Sequence, residues 1–196
     1  MSRARCPHCQ RPLSHCLCAD ISMLEHQRPV TILRHPSEQQ HAKATAHLAA
    51  LSLSRCELID GEGPADFAAF IANSDLSRVG LIYPSPASQP LEQADVGEID
   101  SWLFLDGTWR KAHKLLQLNP WLQSLPSFHF AQAPASAYTI RKAKRSDSLS
   151  TLEAIAYTLA TTEQAEVSGL HQLQRALVEQ QLQAMPSAVR QRYREL

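Results

Sequence analysis

The chain has 196 residues, 44% of them hydrophobic, enough to bury one core and carry a small appended module. Nineteen basic residues balance nineteen acidic ones, which excludes a protein that coats a polyanion through overall charge, so any contact with nucleic acid must come from a local patch. The opening MSRARCPHCQ has no apolar segment and no later run is long enough to span a bilayer, so a cytoplasmic protein with no membrane partner is expected.

Four of the five cysteines, Cys6, Cys9, Cys16 and Cys18, crowd into the first unit of the chain, residues 1–27, which is rich in Cys, His and Arg and poor in large aliphatic residues. Such a unit cannot bury a core alone and needs a metal to fold. Cys6-Pro7-His8-Cys9 is a C-x2-C pair and Cys16-Leu17-Cys18 supplies two further thiolates; together they can close a tetrahedral shell around Zn2+ and leave no position open, the mark of a structural site, with His8 and His15 as candidate substitutes for one sulfur. A redox dithiol is the rival reading, but the strand-to-helix setting of such sites is missing. Cys56 stands apart and reads as a small buried hydrophobe.

From Arg28 the pattern becomes that of a second unit, residues 28–196. Pro29 to Leu33 reads as a strand, and Ser37 with Gln40 offers a capping box for a helix running to about Leu53. Cys56 to Ile59 is a second strand, Asp66 to Ala72 has helical spacing, and Val79 to Tyr83 is a third strand stopped by Pro84-Ser85-Pro86. Trp102 to Leu105 is a fourth strand, Trp109 to Leu118 a helix, and Ser127 to Phe130 a fifth strand. A basic stretch, 137–147, then precedes the capping box Ser150-Thr151-Leu152-Glu153, which opens a helix to about Thr161. A last helix spans roughly Gly169 to Met185, and a basic turn carries Arg190, Arg192 and Arg194.

Strands alternating with helices predict an α/β fold: a mostly parallel sheet with helices on both faces, plus the small N-terminal zinc-binding module. Ligands of such sheets lie outside the carboxyl ends of the strands. Three polar clusters fall at such ends: Tyr83-Pro84-Ser85, Asp106-Gly107-Thr108-Trp109, and the stretch from Tyr138 to Glu153. Asp106 directly follows Leu103-Phe104-Leu105 and so emerges into the crevice, where Gly107 permits a tight turn or a close backbone approach. Thr108 and Trp109 carry two readings each: helix cap or site for the threonine, core or site for the tryptophan.

The D-x-T-W of Asp106 to Trp109, with Leu81-Ile82-Tyr83-Pro84-Ser85, Tyr138-Thr139-Ile140-Arg141-Lys142 and Leu149-Ser150-Thr151-Leu152-Glu153-Ala154, resembles the DTW-domain family, whose bacterial members carry similar cysteine pairs. The match runs over nearly the whole chain in order. The resemblance implies a tRNA-uridine aminocarboxypropyltransferase: an enzyme that moves the 3-amino-3-carboxypropyl group of S-adenosyl-L-methionine (SAM) to N3 of a tRNA uridine and releases methylthioadenosine. It also implies a fold like that of the SPOUT methyltransferases, with a knotted cofactor-binding region.

Carried onto this sequence, the resemblance makes Asp106, Thr108 and Trp109 the catalytic candidates, with the Asp106 carboxylate as the base for uridine N3–H. Tyr83, Pro84, Ser85, Leu105, Tyr138, Arg141, Ser150, Thr151 and Glu153 are the expected cofactor pocket, and Arg110, Lys111, Lys142, Lys144 and Arg145 the expected RNA contacts. Family precedent points to the tRNA variable loop, ahead of the D loop or ribosomal RNA. The chain departs from the family where a more asparagine-rich stretch is replaced by His41-Ala42-Lys43-Ala44-Thr45. A SPOUT-like methyltransferase using the same cofactor and a non-catalytic zinc-containing RNA-binding module are the alternatives. No exposed apolar stripe marks an oligomer interface, which is compatible with a monomer.

Overall fold

Val30-Thr31-Ile32-Leu33-Arg34 is buried at every position, the pattern of a strand covered on both faces, as a parallel sheet requires. The computed structural model describes residues 4–39, 41, 43–140, 149–187 and 190. Their elements are β1 (Val30–Arg34), α1 (Ala46–Leu51), β2 (Cys56–Asp60), α2 (Ala68–Asn73), β3 (Val79–Ile82), β4 (Gln89–Pro90), β5 (Ser101–Asp106), α3 (Trp109–Leu118), β6 (Ser127–His129), α4 (Thr151–Glu163) and α5 (Ser168–Gln183). The six strands form one sheet in the order β2-β1-β5-β3-β6-β4, parallel throughout, so the α/β fold expected from the alternation is present.

Alternation along the central strands divides the core in two. Ile32, Trp102 and Phe104 face one side, under α1, α4 and α5, with Leu48, Leu152, Ile155, Leu173 and Leu177. Leu33, Leu81 and Leu103 face the other, under α2 and α3, with Phe67, Phe70, Leu115 and Leu116. The parity continues to the strand ends. Arg34 pairs in register with Asp106, so both side chains leave the sheet on the α1–α4 side.

Trp102 is fully buried, and Gly80 of β3 is its register partner. A Cβ on Gly80 would lie 2.5 Å from the indole Cζ3 and 2.7 Å from Cε3. Overpacking of this kind costs about 1–3 kcal/mol. Gly80→Ala is therefore expected to lower the melting temperature, read by differential scanning calorimetry; an unchanged melt would mean that the indole has room to move.

The cysteine-rich unit packs onto this domain. Leu17 is fully buried in the α1–α4–α5 core, together with Cys6 and Cys9. His47 Nε2 donates to the His8 carbonyl at 2.9 Å, and Gln180 Nε2 donates to the Cys16 carbonyl at 3.4 Å. At the opposite edge Glu163 accepts the backbone amides of Gln27 (2.7 Å) and Arg28 (3.0 Å), fixing the chain as it enters β1.

Several boundaries differ from expectation. The helix expected from Ser37 starts at Ala46. Ser37 lies in a short 3-10 turn, Pro36–Glu38, where its amide is capped by the His35 ring, so its hydroxyl opens no long helix; Gln40 lies outside the described residues. The helix expected from Asp66 splits into a 3-10 turn, Pro64–Phe67, and α2. The Asp66 carboxylate turns back to accept the amides of Glu62 (2.8 Å) and Gly63 (3.0 Å), a local bond that competes with helix continuation. Strand β4 was not expected. It is two residues at the sheet edge, one of them a proline, too short to show any period.

Candidate functional site

Asp106 ends β5, a strand bordered by β1 on one side and β3 on the other, so the loops that follow three parallel strands meet beside it. It is buried. Thr151 Oγ1, in the first turn of α4, donates to Asp106 Oδ1 at 2.5 Å, which fixes the carboxylate's orientation. The backbone carbonyl of Asp106 accepts the His35 amide at 3.1 Å.

Two residues on, Thr108 caps α3: its side chain accepts the Lys111 amide at 3.4 Å. Gly107 needs no left-handed backbone, since no glycine among the described residues has positive φ. Its place is set by space, a Cβ there lying 3.0 Å from the Lys111 Cβ. Trp109 is not a core residue. It is 43% exposed and packs edge-on against Tyr83 with ring centroids 5.8 Å apart, leaving indole surface toward solvent at the site.

The β3 end supplies Tyr83, whose hydroxyl is pushed up by burial. Pro84 is exposed, and Ser85 ties this loop to β6 through Ser127 (3.3 Å) and through Ser88, whose hydroxyl also meets His129 Nδ1 at 2.9 Å. Leu105 turns to the face opposite Asp106, against the α2–α3 core.

Ser150 and Glu153 form the capping box expected for α4. Ser150 Oγ accepts the Glu153 amide at 3.2 Å and donates to Gln174 at 2.7 Å; Glu153 accepts from the Ser150 amide (2.7 Å), the Ser136 hydroxyl (2.8 Å) and the Ala137 amide (2.8 Å). The pair therefore holds the loop that carries Tyr138. Tyr138 is buried and donates through its hydroxyl to the Lys43 carbonyl at 2.7 Å, and two residues on the Ile140 carbonyl accepts from Lys43 Nζ at 2.6 Å. Thr45 Oγ1 meets the Leu152 amide at 3.4 Å.

Of the expected RNA contacts, Arg110 is exposed on the first turn of α3, and Lys111 Nζ pairs with the buried Glu38 at 2.6 Å. Arg141, Lys142, Lys144 and Arg145 lie outside the described residues.

Several groups at this end of the sheet escape the sequence reading. Arg34 makes a forked ion pair with Asp60, at 2.5 and 2.8 Å. His35 Nε2 and Lys114 Nζ both meet Glu62 Oε1, at 2.7 and 2.6 Å, and these bonds, Lys114 first, hold the Glu62 carboxyl below its ordinary range. Arg34-His35 directly follow the apolar run of β1 as Asp106 follows that of β5, so the strand-end rule contained the signal.

At the N-terminus the four thiols of Cys6, Cys9, Cys16 and Cys18 lie within 4.8 Å of one another, Cys6 to Cys18 at 3.6 Å and Cys9 to Cys16 at 3.7 Å. Tetrahedral zinc with Zn–S bonds of about 2.3 Å sets its sulfurs roughly 3.8 Å apart, so the donor set fits such a metal. The C-x2-C turn is closed by Gln10 in the left-handed region (φ 56°). It aims the Cys9 and His8 amides at the Cys6 sulfur, bringing that thiol down to about 6, while the hydrogen bond of Cys18 to Cys16 and burial push Cys18 up to about 12. No helix among the described residues is long and apolar enough to cross a membrane.

A family model described as DTW domain matches residues 3–185. No solved structure matches the chain.

Proposed function

The chain belongs to the DTW-domain family, and on that premise we propose that it is a tRNA-uridine aminocarboxypropyltransferase that draws its 3-amino-3-carboxypropyl group from SAM. Bound at the strand ends, SAM supplies an alkyl carbon already activated by a sulfonium, so the protein has only to orient the reactants and take up a proton. A knotted, SPOUT-like cofactor-binding region is part of the same proposal.

The observation that carries the reading is the group at the end of β5: a buried carboxylate, Asp106, held by Thr151, beside a half-exposed indole that rests on Tyr83. Uridine N3–H is a weak acid. In the proposed reaction N3 attacks the carbon of the aminocarboxypropyl chain next to sulfur, that C–S bond breaks, methylthioadenosine leaves, and the N3 proton passes to the Asp106 carboxylate. Trp109 offers a face on which a splayed base can stack. Thr108 keeps α3 capped behind it. Arg110, with Lys142, Lys144 and Arg145, is proposed to meet phosphates, which carry most of the affinity of proteins for RNA, and Arg141 to belong to the cofactor pocket. The metal is proposed to be zinc with a structural role, since four thiolates leave it no open position.

The test is product analysis with purified protein, unmodified tRNA and SAM. Methylthioadenosine and an aminocarboxypropylated uridine are expected. Release of S-adenosylhomocysteine would make the protein a methyltransferase, and tRNA binding without either product would leave a non-catalytic RNA-binding module. Within this mechanism Thr151 is a positioning residue. Thr151→Val is expected to lower kcat roughly ten- to hundredfold, the worth of one hydrogen bond to a charged group, with KM for tRNA near wild type and activity restored in Thr151→Ser. Equal loss in both variants would assign Thr151 to the fold alone.

A further inference from the structure

Between the cysteine unit and the ends of β1 and α1 lies a cavity of about 260 Å³ whose charged and imidazole-bearing walls are Arg5, Arg11, Arg34, His15, His41 and His47, with no carboxylate among the described residues that line it. In a chain with no net charge such a one-sided lining is itself a signal. Arg34 sharpens it. Its side chain is nine-tenths buried, and Nε and Nη2 are held by Asp60. Nη1, on the far side of the guanidinium from that fork, is buried with no hydrogen-bond partner among the described residues. An unpaired buried cationic donor is costly unless a ligand completes it. The Arg5 and Arg11 guanidinium groups are steadied at the wall by backbone carbonyls, Arg5 Nε to Gln10 at 2.7 Å and Arg11 Nε to His15 at 3.1 Å.

Position links this cavity to the candidate site. Arg34 and Asp106 are register partners on adjacent parallel strands and leave the sheet on the same side, about 5 Å apart at the backbone. An anion seated on Arg34 Nη1 would thus lie one strand away from the carboxylate that receives the target base. We infer that this cavity seats a backbone phosphate of the RNA substrate next to the modified nucleotide, with Arg34 as the inner contact and Arg5 at the exposed rim. The inference rests on the proposal that the protein acts on tRNA. It adds a defined phosphate seat formed jointly by the cysteine unit and the sheet, and gives that unit a part in substrate binding.

The experiment measures tRNA affinity by fluorescence anisotropy across about 50–200 mM salt for the wild type, Arg34→Gln and Arg5→Gln, with metal content and SAM affinity measured on the same samples. Each folded variant is expected to bind tRNA roughly tenfold more weakly and to lose about one unit of the log affinity–log salt slope, with metal content and SAM affinity unchanged. Because Arg5 is exposed, its variant tests the seat even if Arg34→Gln does not fold. Wild-type affinity and slope in Arg5→Gln and in any folded Arg34→Gln, while the wild type still modifies tRNA, would overturn the phosphate seat alone. Loss of SAM binding in place of tRNA binding would overturn it in favour of a cofactor carboxylate contact, and loss of metal in favour of a purely structural role for the arginines. A wild-type protein that neither binds nor modifies tRNA would remove the underlying reading and this inference with it.

Discussion

Asp106→Asn is expected to lower the rate of uridine modification by about 10²–10⁴-fold, the usual worth of a positioned general base, while SAM and tRNA binding stay near wild type. Asparagine has nearly the same shape as aspartate. Its carbonyl oxygen can still accept the Thr151 hydroxyl that now meets Asp106 Oδ1 at 2.5 Å, so the end of β5 and the first turn of α4 keep their relation. What the substitution removes is the capacity to accept a proton from uridine N3. The effect should therefore fall on kcat and leave KM nearly unmoved, the pattern of a group that acts in the transition state. Single-turnover assays with saturating tRNA measure it directly. Wild-type turnover in Asp106→Asn would contradict the base assignment and return the carboxylate to a structural role at the strand end.

The second large effect is expected at the cysteine cluster. Cys9 is buried, its sulfur lies 3.7 Å from that of Cys16, and all four thiols converge on one point. Structural zinc sites in small modules bind with about 10–16 kcal/mol, and this unit has little core of its own. Its largest buried aliphatic side chain, Leu17, belongs to the core shared with α1, α4 and α5, so loss of a metal bound there would propagate inward. Removing one ligand with Cys9→Ser should abolish stoichiometric zinc and cost several kcal/mol. At about 2–4 °C per kcal/mol for a chain of this size, the melting temperature should fall by roughly 10 °C. Cys56→Ser is the matched control. That thiol lies outside the cluster, and burial pushes it up to about 12, so it is a poor ligand and its replacement should leave the metal in place. Elemental analysis with a thermal melt of both variants decides the matter. Unchanged metal content and melting in Cys9→Ser would show that the four thiols do not act together.

Much of the framework was legible because single residues spoke for whole elements. The largely apolar run of β1 and the Trp102-Leu103-Phe104-Leu105 run of β5 announced strands of a parallel sheet, and both are largely buried as such strands must be. The capping box of Ser150 and Glu153 opens α4 as read. The cysteine spacing picked out four thiols, and their sulfurs converge where they could hold a metal. What stayed hidden depends on partners far along the chain. The turn 36–38 is held by the local His35 cap and by the Glu38–Lys111 ion pair, and the second of these, across 73 positions, shows in no local pattern. Order within the sheet is equally non-local. Nothing in the sequence of β5 says that it inserts between β1 and β3, yet that insertion brings Arg34, Tyr83 and Asp106 to neighbouring strand ends. Trp109 carries two readings, core or site, and its position chooses between them. An indole in an amphipathic helix reads as core by habit, but at the first position of α3 it projects beside Tyr83 with nearly half its surface exposed.

The central claim is that this chain places an aminocarboxypropyl group on a tRNA uridine and that Asp106 takes the proton. Mass spectrometry of tRNA nucleosides from a strain lacking the gene, restored with wild type or with Asp106→Asn, tests both halves together. An aminocarboxypropyluridine that is absent in the deletion, returns with the wild type and does not return with Asp106→Asn is the predicted result. A nucleoside profile unchanged by the deletion, or restored equally by both forms, would contradict it.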